Sequence, residues 1–203
     1  MLAQKLQRFA GQKDTLVLAL PRGGVPVGYE IAQALQIPLD VFLVRKLGVP
    51  GYEELAFGAI AMGGVTVFND SVIQQLGLQQ DAIAAVITQE QAVLAQRNQK
   101  YRGNRPLPDL KQLTVILVDD GIATGATMRA AIQAIRQLGC LKIILAVPVA
   151  PPEAFAQFSQ LADAVICLET PAEFFAIGSW YENFPQTTDE EVYQLTNGPY
   201  PPH

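Results

Sequence analysis

Short apolar runs rich in Val, Ile and Leu recur along the chain at residues 15–20, 39–45, 57–62, 114–119, 142–147 and 164–168. Their hydrophobicity is continuous rather than alternating, which predicts strands covered on both faces. Between them, residues 25–35, 126–138 and 151–161 carry apolar positions at helical spacing. Gly139 closes the second of these helices, and proline opens the third near its first turn. The alternation is a βαβ rhythm, so the expected fold class is α/β, a doubly wound and mostly parallel sheet.

A longer helix is predicted over residues 79–101, where Ile83, Val86, Ile87, Val93 and Leu94 keep helical spacing while Glu90 and Arg97 interrupt the stripe. The bland reading of these two is an ion pair or polar contact across the helix packing. Residues 102–108 (RGNRPLP) read as a loop whose Arg102 and Arg105 could reach a phosphate but are expected in solvent. After Leu168 the pattern turns irregular and aromatic, with Phe174, Phe175, Trp180, Tyr181 and Phe184 close together. A cap over one end of the sheet fits that composition.

Composition narrows the function classes. At 203 residues and 50% hydrophobic, the chain is sized for one compact domain and excludes a disordered or fibrous protein. Fourteen basic residues against 19 acidic give a net charge of -5, so no generalised basic surface exists for nucleic acid. Cys140 and Cys167 are too few for a disulfide framework and read as small core residues in a reducing cytoplasm. The lone histidine, His203, sits on a tail with Pro199, Pro201 and Pro202, read as solvated, so a histidine triad or zinc site is not expected. No stretch approaches the roughly 18 apolar residues of a membrane span, and no signal peptide is visible. The expectation is a soluble cytoplasmic protein.

The chemistry concentrates in residues 115–128, VILVDDGIATGATM: an apolar strand, two carboxylates, a small-residue loop and a helix start. Ligands bind at such strand ends in open parallel sheets. Free first-turn amides, the helix dipole, a close-approach Gly125 and the hydroxyls of Thr124 and Thr127 make a monophosphate cradle. No lysine follows the glycine, so this is not a Walker A loop. Carboxylates beside a phosphate need a reason, and a vicinal diol supplies one, because a carboxylate accepts two adjacent hydroxyl hydrogen bonds. A diol at one end and a phosphate one carbon away describe a 5-phosphoribosyl group.

On these residues the sequence resembles the type I phosphoribosyltransferase family, over residues 15–168 as fold and 115–128 as diagnostic motif. The resemblance implies that Asp119 and Asp120 hold the ribose hydroxyls of phosphoribosyl pyrophosphate (PRPP). Ala123, Thr124, Gly125, Ala126 and Thr127 would hold its 5-phosphate. It implies a pyrophosphate loop at Arg22, Gly23 and Gly24, where glycine allows unusual dihedrals and close approach. Arg45 and Lys46, closing the second strand, would neutralise the leaving group, and residues 47–56 match the family's flexible closing loop. Mg²⁺ would accompany PRPP, with no certain direct protein ligand. The domain reading is one unit, 1–203, with core about 12–168, an inserted helical segment about 70–105 and a hood about 169–198.

Where hypoxanthine and guanine members carry an aspartate in the phosphate loop, this chain has Ala123, so the base's proton needs another acceptor. Glu53 or Glu54 on the closing loop fits, since closure can bring a carboxylate into reach. Phe174, Phe175, Trp180 or Tyr181 would stack on the base, or else pack as core. The expected activity is transfer of the phosphoribosyl group to a nitrogenous base, purine-like favoured, in nucleotide salvage. The alternatives are a non-catalytic sensor of PRPP or a nucleotide, and transfer to water or an unusual acceptor. Expected partners are small molecules, with no nucleic acid and no membrane. The long helix is a plausible contact for a homodimer.

Overall fold

The computed structural model describes residues 1–103 and 105–197, so the tail reading of Pro199, Pro201, Pro202 and His203 lies outside the described residues. Strands follow in the order β1 (Thr15–Ala19), β2 (Leu39–Val41), β3 (Val44–Val49), β4 (Tyr52–Ala61), β5 (Val65–Phe68), β6 (Thr114–Val118), β7 (Lys142–Val149) and β8 (Ala164–Glu169). Helices are α1 (Leu2–Lys5), α2 (Gly24–Leu35), α3 (Asp70–Leu76), α4 (Gln80–Arg102), α5 (Ala126–Gln137), α6 (Pro152–Leu161) and α7 (Asp189–Asn197). A five-stranded sheet in the order β2-β1-β6-β7-β8 forms the centre, and every pair in it is parallel. Helices flank it, as the βαβ rhythm required, and all five residues of both β1 and β6 are buried.

The second predicted strand divides. Residues 39–41 stay in the parallel sheet as β2, whereas Val44 begins β3 in a separate antiparallel sheet, β3-β4-β5. Arg45 and Lys46 therefore open a strand of the small sheet rather than closing a parallel one. Residues 57–62, predicted as a doubly covered strand, lie mostly in β4, whose first four residues are exposed. Residues 47–56, expected as a loop, are largely a hairpin that turns at Gly51, in the left-handed region at φ 81°. β5 and α7 were not expected, because four residues are too short a run to stand out and Asp189–Asn197 carries mostly polar side chains.

α4 matches its prediction within a residue at each end. Ile83 packs with Leu47, Val49, Phe57 and Ile60 in a cluster under the small sheet. At the other end Arg102, 1% exposed, gives two 2.7 Å hydrogen bonds to Asp40 on β2 and two more to the carbonyls of Arg105 and Pro106. Arg102 is thus a core residue rather than a solvated loop arginine, and it pins α4 to the edge of the parallel sheet. Among the described residues no helix is long and apolar enough to cross a membrane.

Candidate functional site

β1 and β6 pair in register, Ala19 beside Val118, so the loops that follow them emerge side by side. The first is Pro21-Arg22-Gly23, whose Pro21–Arg22 peptide is cis, leading into α2. The second is Asp119-Asp120, leading into α5. Their contact explains the glycines: a Cβ on Gly23 would stand 1.8 Å from Asp120 Oδ2, and one on Gly24 would stand 2.8 Å from the Asp119 Cα. Gly23 itself has ordinary helical dihedrals, φ -61° and ψ -33°. Close approach, not unusual backbone, is what excludes a side chain there.

The two carboxylates are poorly served by the protein alone. The Asp120 amide donates to Asp119 Oδ1 at 2.9 Å, but burial pushes the Asp119 carboxyl well above the usual range and the Asp120 charge adds to that. Burial also raises Asp120. Such a pair is relieved by a ligand that brings hydroxyl donors. Downstream, Ala123, Thr124, Ala126 and Thr127 are exposed around the start of α5. First-turn amides have no intrahelical partner, and no side chain caps α5. Gly125 is required by its φ of 71° and by Phe158, whose ring would stand 2.6 Å from a Cβ. An anion fits these donors.

A cleft of about 580 Å³ runs from Pro21 to Thr127 between these loops and the small sheet, with Arg45, Lys46, Glu53, Glu54, Glu90 and Arg97 supplying its charge. Arg45 donates from Nε to Glu90 Oε2 at 2.6 Å, so half of the expected polar contact on the α4 stripe is present. Arg97 makes none among the described residues. Lys46 lies 3.8 Å from the fully exposed Glu54, while Glu53 accepts from the Gly51 amide at 3.2 Å. The structure therefore brings Arg45, Lys46, Glu53 and Glu54 to one cleft. Neither glutamate is buried beside a reacting position, and both ride on the hairpin.

The cap contributes one of the four aromatics expected at the base position. Tyr181 donates its hydroxyl to the Asp120 carbonyl at 2.6 Å and lines a cavity of about 420 Å³ with Arg22, Gly23, Asp120 and Phe184. Phe174 and Trp180 do not line it, and Phe175, 87% exposed, does not either. Phe184, whose ring centroid is 4.9 Å from that of Tyr181, and the amides Asn183 and Gln186 were missed. Only their nearness to Tyr181 in sequence pointed to them. Cys140 and Cys167, expected as core residues, are half-buried and pack against the core rather than within it. No group of three or more potential metal ligands exists among the described residues.

Comparison with known proteins places these features in context. Residues 50–181 match the family described as phosphoribosyl transferase domain. Proteins from two strains of Mycobacterium tuberculosis, assigned by name only provisionally as phosphoribosyl transferases, are each 50% identical over 191 residues, 94% of this chain and 43% of their own length. The chain thus spans less than half of these curated relatives. A crystal structure of the Thermus thermophilus protein TT1426 is 40% identical and superposes with a TM-score of 0.84, covering 96% of this chain and 92% of that one.

Proposed function

The chain belongs to the phosphoribosyl transferase family, and from that premise we propose that it moves the 5-phosphoribosyl group of Mg²⁺-bound PRPP onto a ring nitrogen of a base, purine-like favoured, as a salvage step in the cytoplasm. The observation that carries this reading is the junction of the Arg22 loop, the Asp119–Asp120 pair and the open start of α5 at the carboxyl ends of the neighbouring strands β1 and β6. Together they offer donors for a diphosphate, acceptors for a diol and amides for a monophosphate, in the order of those groups on PRPP.

In this reading Asp119 and Asp120 accept the 2- and 3-hydroxyls, and Ala123 to Thr127 hold the 5-phosphate, so the sugar is fixed at both ends. Bound Mg²⁺ supplies charge neutralisation for the diphosphate. Arg22, Arg45 and Lys46 stabilise the charge that builds on the diphosphate as its bond to C1 breaks. The base nitrogen forms the new C1–N bond, and its proton passes to Glu53 or Glu54 when the hairpin closes. Tyr181 and Phe184 frame the acceptor cavity above Asp120.

The test is pyrophosphate release from Mg²⁺-PRPP across a panel of nucleobases, with Glu53→Gln/Glu54→Gln beside the parent. Release with one base, lowered in the variant while PRPP affinity holds, supports transfer. A sensor is favoured by one observation, the exposure of both glutamates. PRPP binding without release under any base, unchanged in the variant, would establish that reading instead.

A further inference from the structure

α4 packs under the small sheet through Ile83, Val86, Ile87 and Leu94. Its buried contacts lie at Ile83, Tyr101 and Arg102, and the Arg102–Asp40 pair fixes the last turns against β2. Glu90 and Arg97 are seven residues apart, two turns on one stripe, and both line the 580 Å³ cleft. Glu90 is occupied by Arg45, and Lys46 is near Glu54. Arg97 remains the cation of this cleft with no ion pair or side-chain hydrogen bond among the described residues. It also lines a second cavity of about 340 Å³, on the Arg22 side of Pro21, with Lys100, Tyr101 and Asp189.

That second cavity inverts the charge of the protein. Arg22, Arg97 and Lys100 face the single carboxylate of Asp189, in a chain whose net charge is -5. Asp189 already takes hydrogen bonds of 2.5 Å from Lys100 and from the Tyr101 hydroxyl, with Arg22 at 3.6 Å. Arg97 and Pro21 thus line both cavities, and Arg22 lines the second with them. A guanidinium held on a pinned helix gives a forked set of donors suited to phosphate oxygens.

We infer that α4 forms a wall of the diphosphate subsite, with Arg97 binding the terminal phosphate of the diphosphate and Glu90 positioning Arg45 for its neighbour. This rests on the phosphoribosyl reading and adds to it a residue from outside the loops of the resemblance. Arg97 is exposed, so Arg97→Gln should leave the fold intact, and its melting temperature checks that.

The experiment is isothermal titration of three probes, Mg²⁺-PRPP, Mg²⁺-pyrophosphate and ribose 5-phosphate, into the parent chain, Arg97→Gln and Arg97→Lys. Losing a charge-assisted contact should weaken both diphosphate probes about 10-fold in Arg97→Gln. Ribose 5-phosphate should bind as in the parent, and Arg97→Lys should recover part of the loss. Diphosphate affinities within about 2-fold of the parent would overturn the assignment of Arg97 while leaving the phosphoribosyl reading in place, as would an equal loss for ribose 5-phosphate. Failure of the parent itself to bind Mg²⁺-PRPP would overturn both.

Discussion

The parallel and antiparallel sheets meet at one cleft but are built on different terms. β1 and β6 are buried along their length, and the loops they launch touch so closely that glycine is imposed at 23 and 24. The small sheet begins exposed at β4 and reaches the cleft through ion pairs, Arg45 with Glu90 and Lys46 with Glu54. Packed backbone has one arrangement, whereas exposed charged side chains can reorganise. On the proposed reading, sugar-phosphate recognition and the Arg22 diphosphate loop fall to the rigid side, while Arg45, Lys46 and the proton acceptor fall to the adaptable side.

The most damaging way to break this division is to cut the tie between the two regions. Arg102→Ala leaves Asp40 buried without its partner, which should cost about 3–5 kcal/mol in urea unfolding. Replacing both, Arg102→Met with Asp40→Leu, should recover most of that loss, because no lone charge remains. A single-variant cost under about 1 kcal/mol would show that α4 is held by other contacts.

A glycine from each region sharpens the contrast. Gly23→Ala drives a methyl into the Asp120 carboxylate and should cost about 1–3 kcal/mol together with most of the PRPP affinity. Gly51→Ala meets nothing within 4 Å and strains only its positive φ, so it should cost about 1 kcal/mol and leave PRPP affinity unchanged. Equal effects of the two on binding would contradict the division.

What the sequence revealed follows the same boundary. β1, β6 and the Asp119 to Thr127 segment were legible because doubly buried strands are continuously apolar and the cradle is contiguous in the chain. The hairpin at 47–56 was hidden by Gly48, Pro50 and Gly51, which signal a loop, and by the exposed residues that open β4. Arg102 looked solvated because its partner, Asp40, lies 62 positions away. Arg97 showed only as a polar break in the α4 stripe and Phe184 only as a member of the aromatic cap; the cavities they line arise from packing between distant segments.

The smallest expected effect is on acid stability. Hydrogen bonds from Lys100 and Tyr101 hold Asp189 at about 2, below its ordinary 3.8. A depressed carboxylate contributes stability above the unfolded value and loses it as the folded group protonates, so this contribution should fade between pH 3.8 and about 2. Asp189→Asn should flatten that part of the melting temperature against pH and leave the neutral region nearly unchanged. An unaltered acid limb would show that the contact adds nothing.

The central claim, that the Asp119–Asp120 pair waits for a sugar diol, is tested most directly by titrating Mg²⁺-PRPP into the parent chain and Asp119→Asn/Asp120→Asn. Raised carboxyl groups stabilise the fold only while protonated, so their charged forms burden the free protein at neutral pH and the amides should relieve it. The account predicts PRPP affinity lowered about 100-fold or more, the loss of at least two hydroxyl contacts to charged acceptors, in a variant that melts no lower than the parent. Parent-like binding by the variant would contradict it.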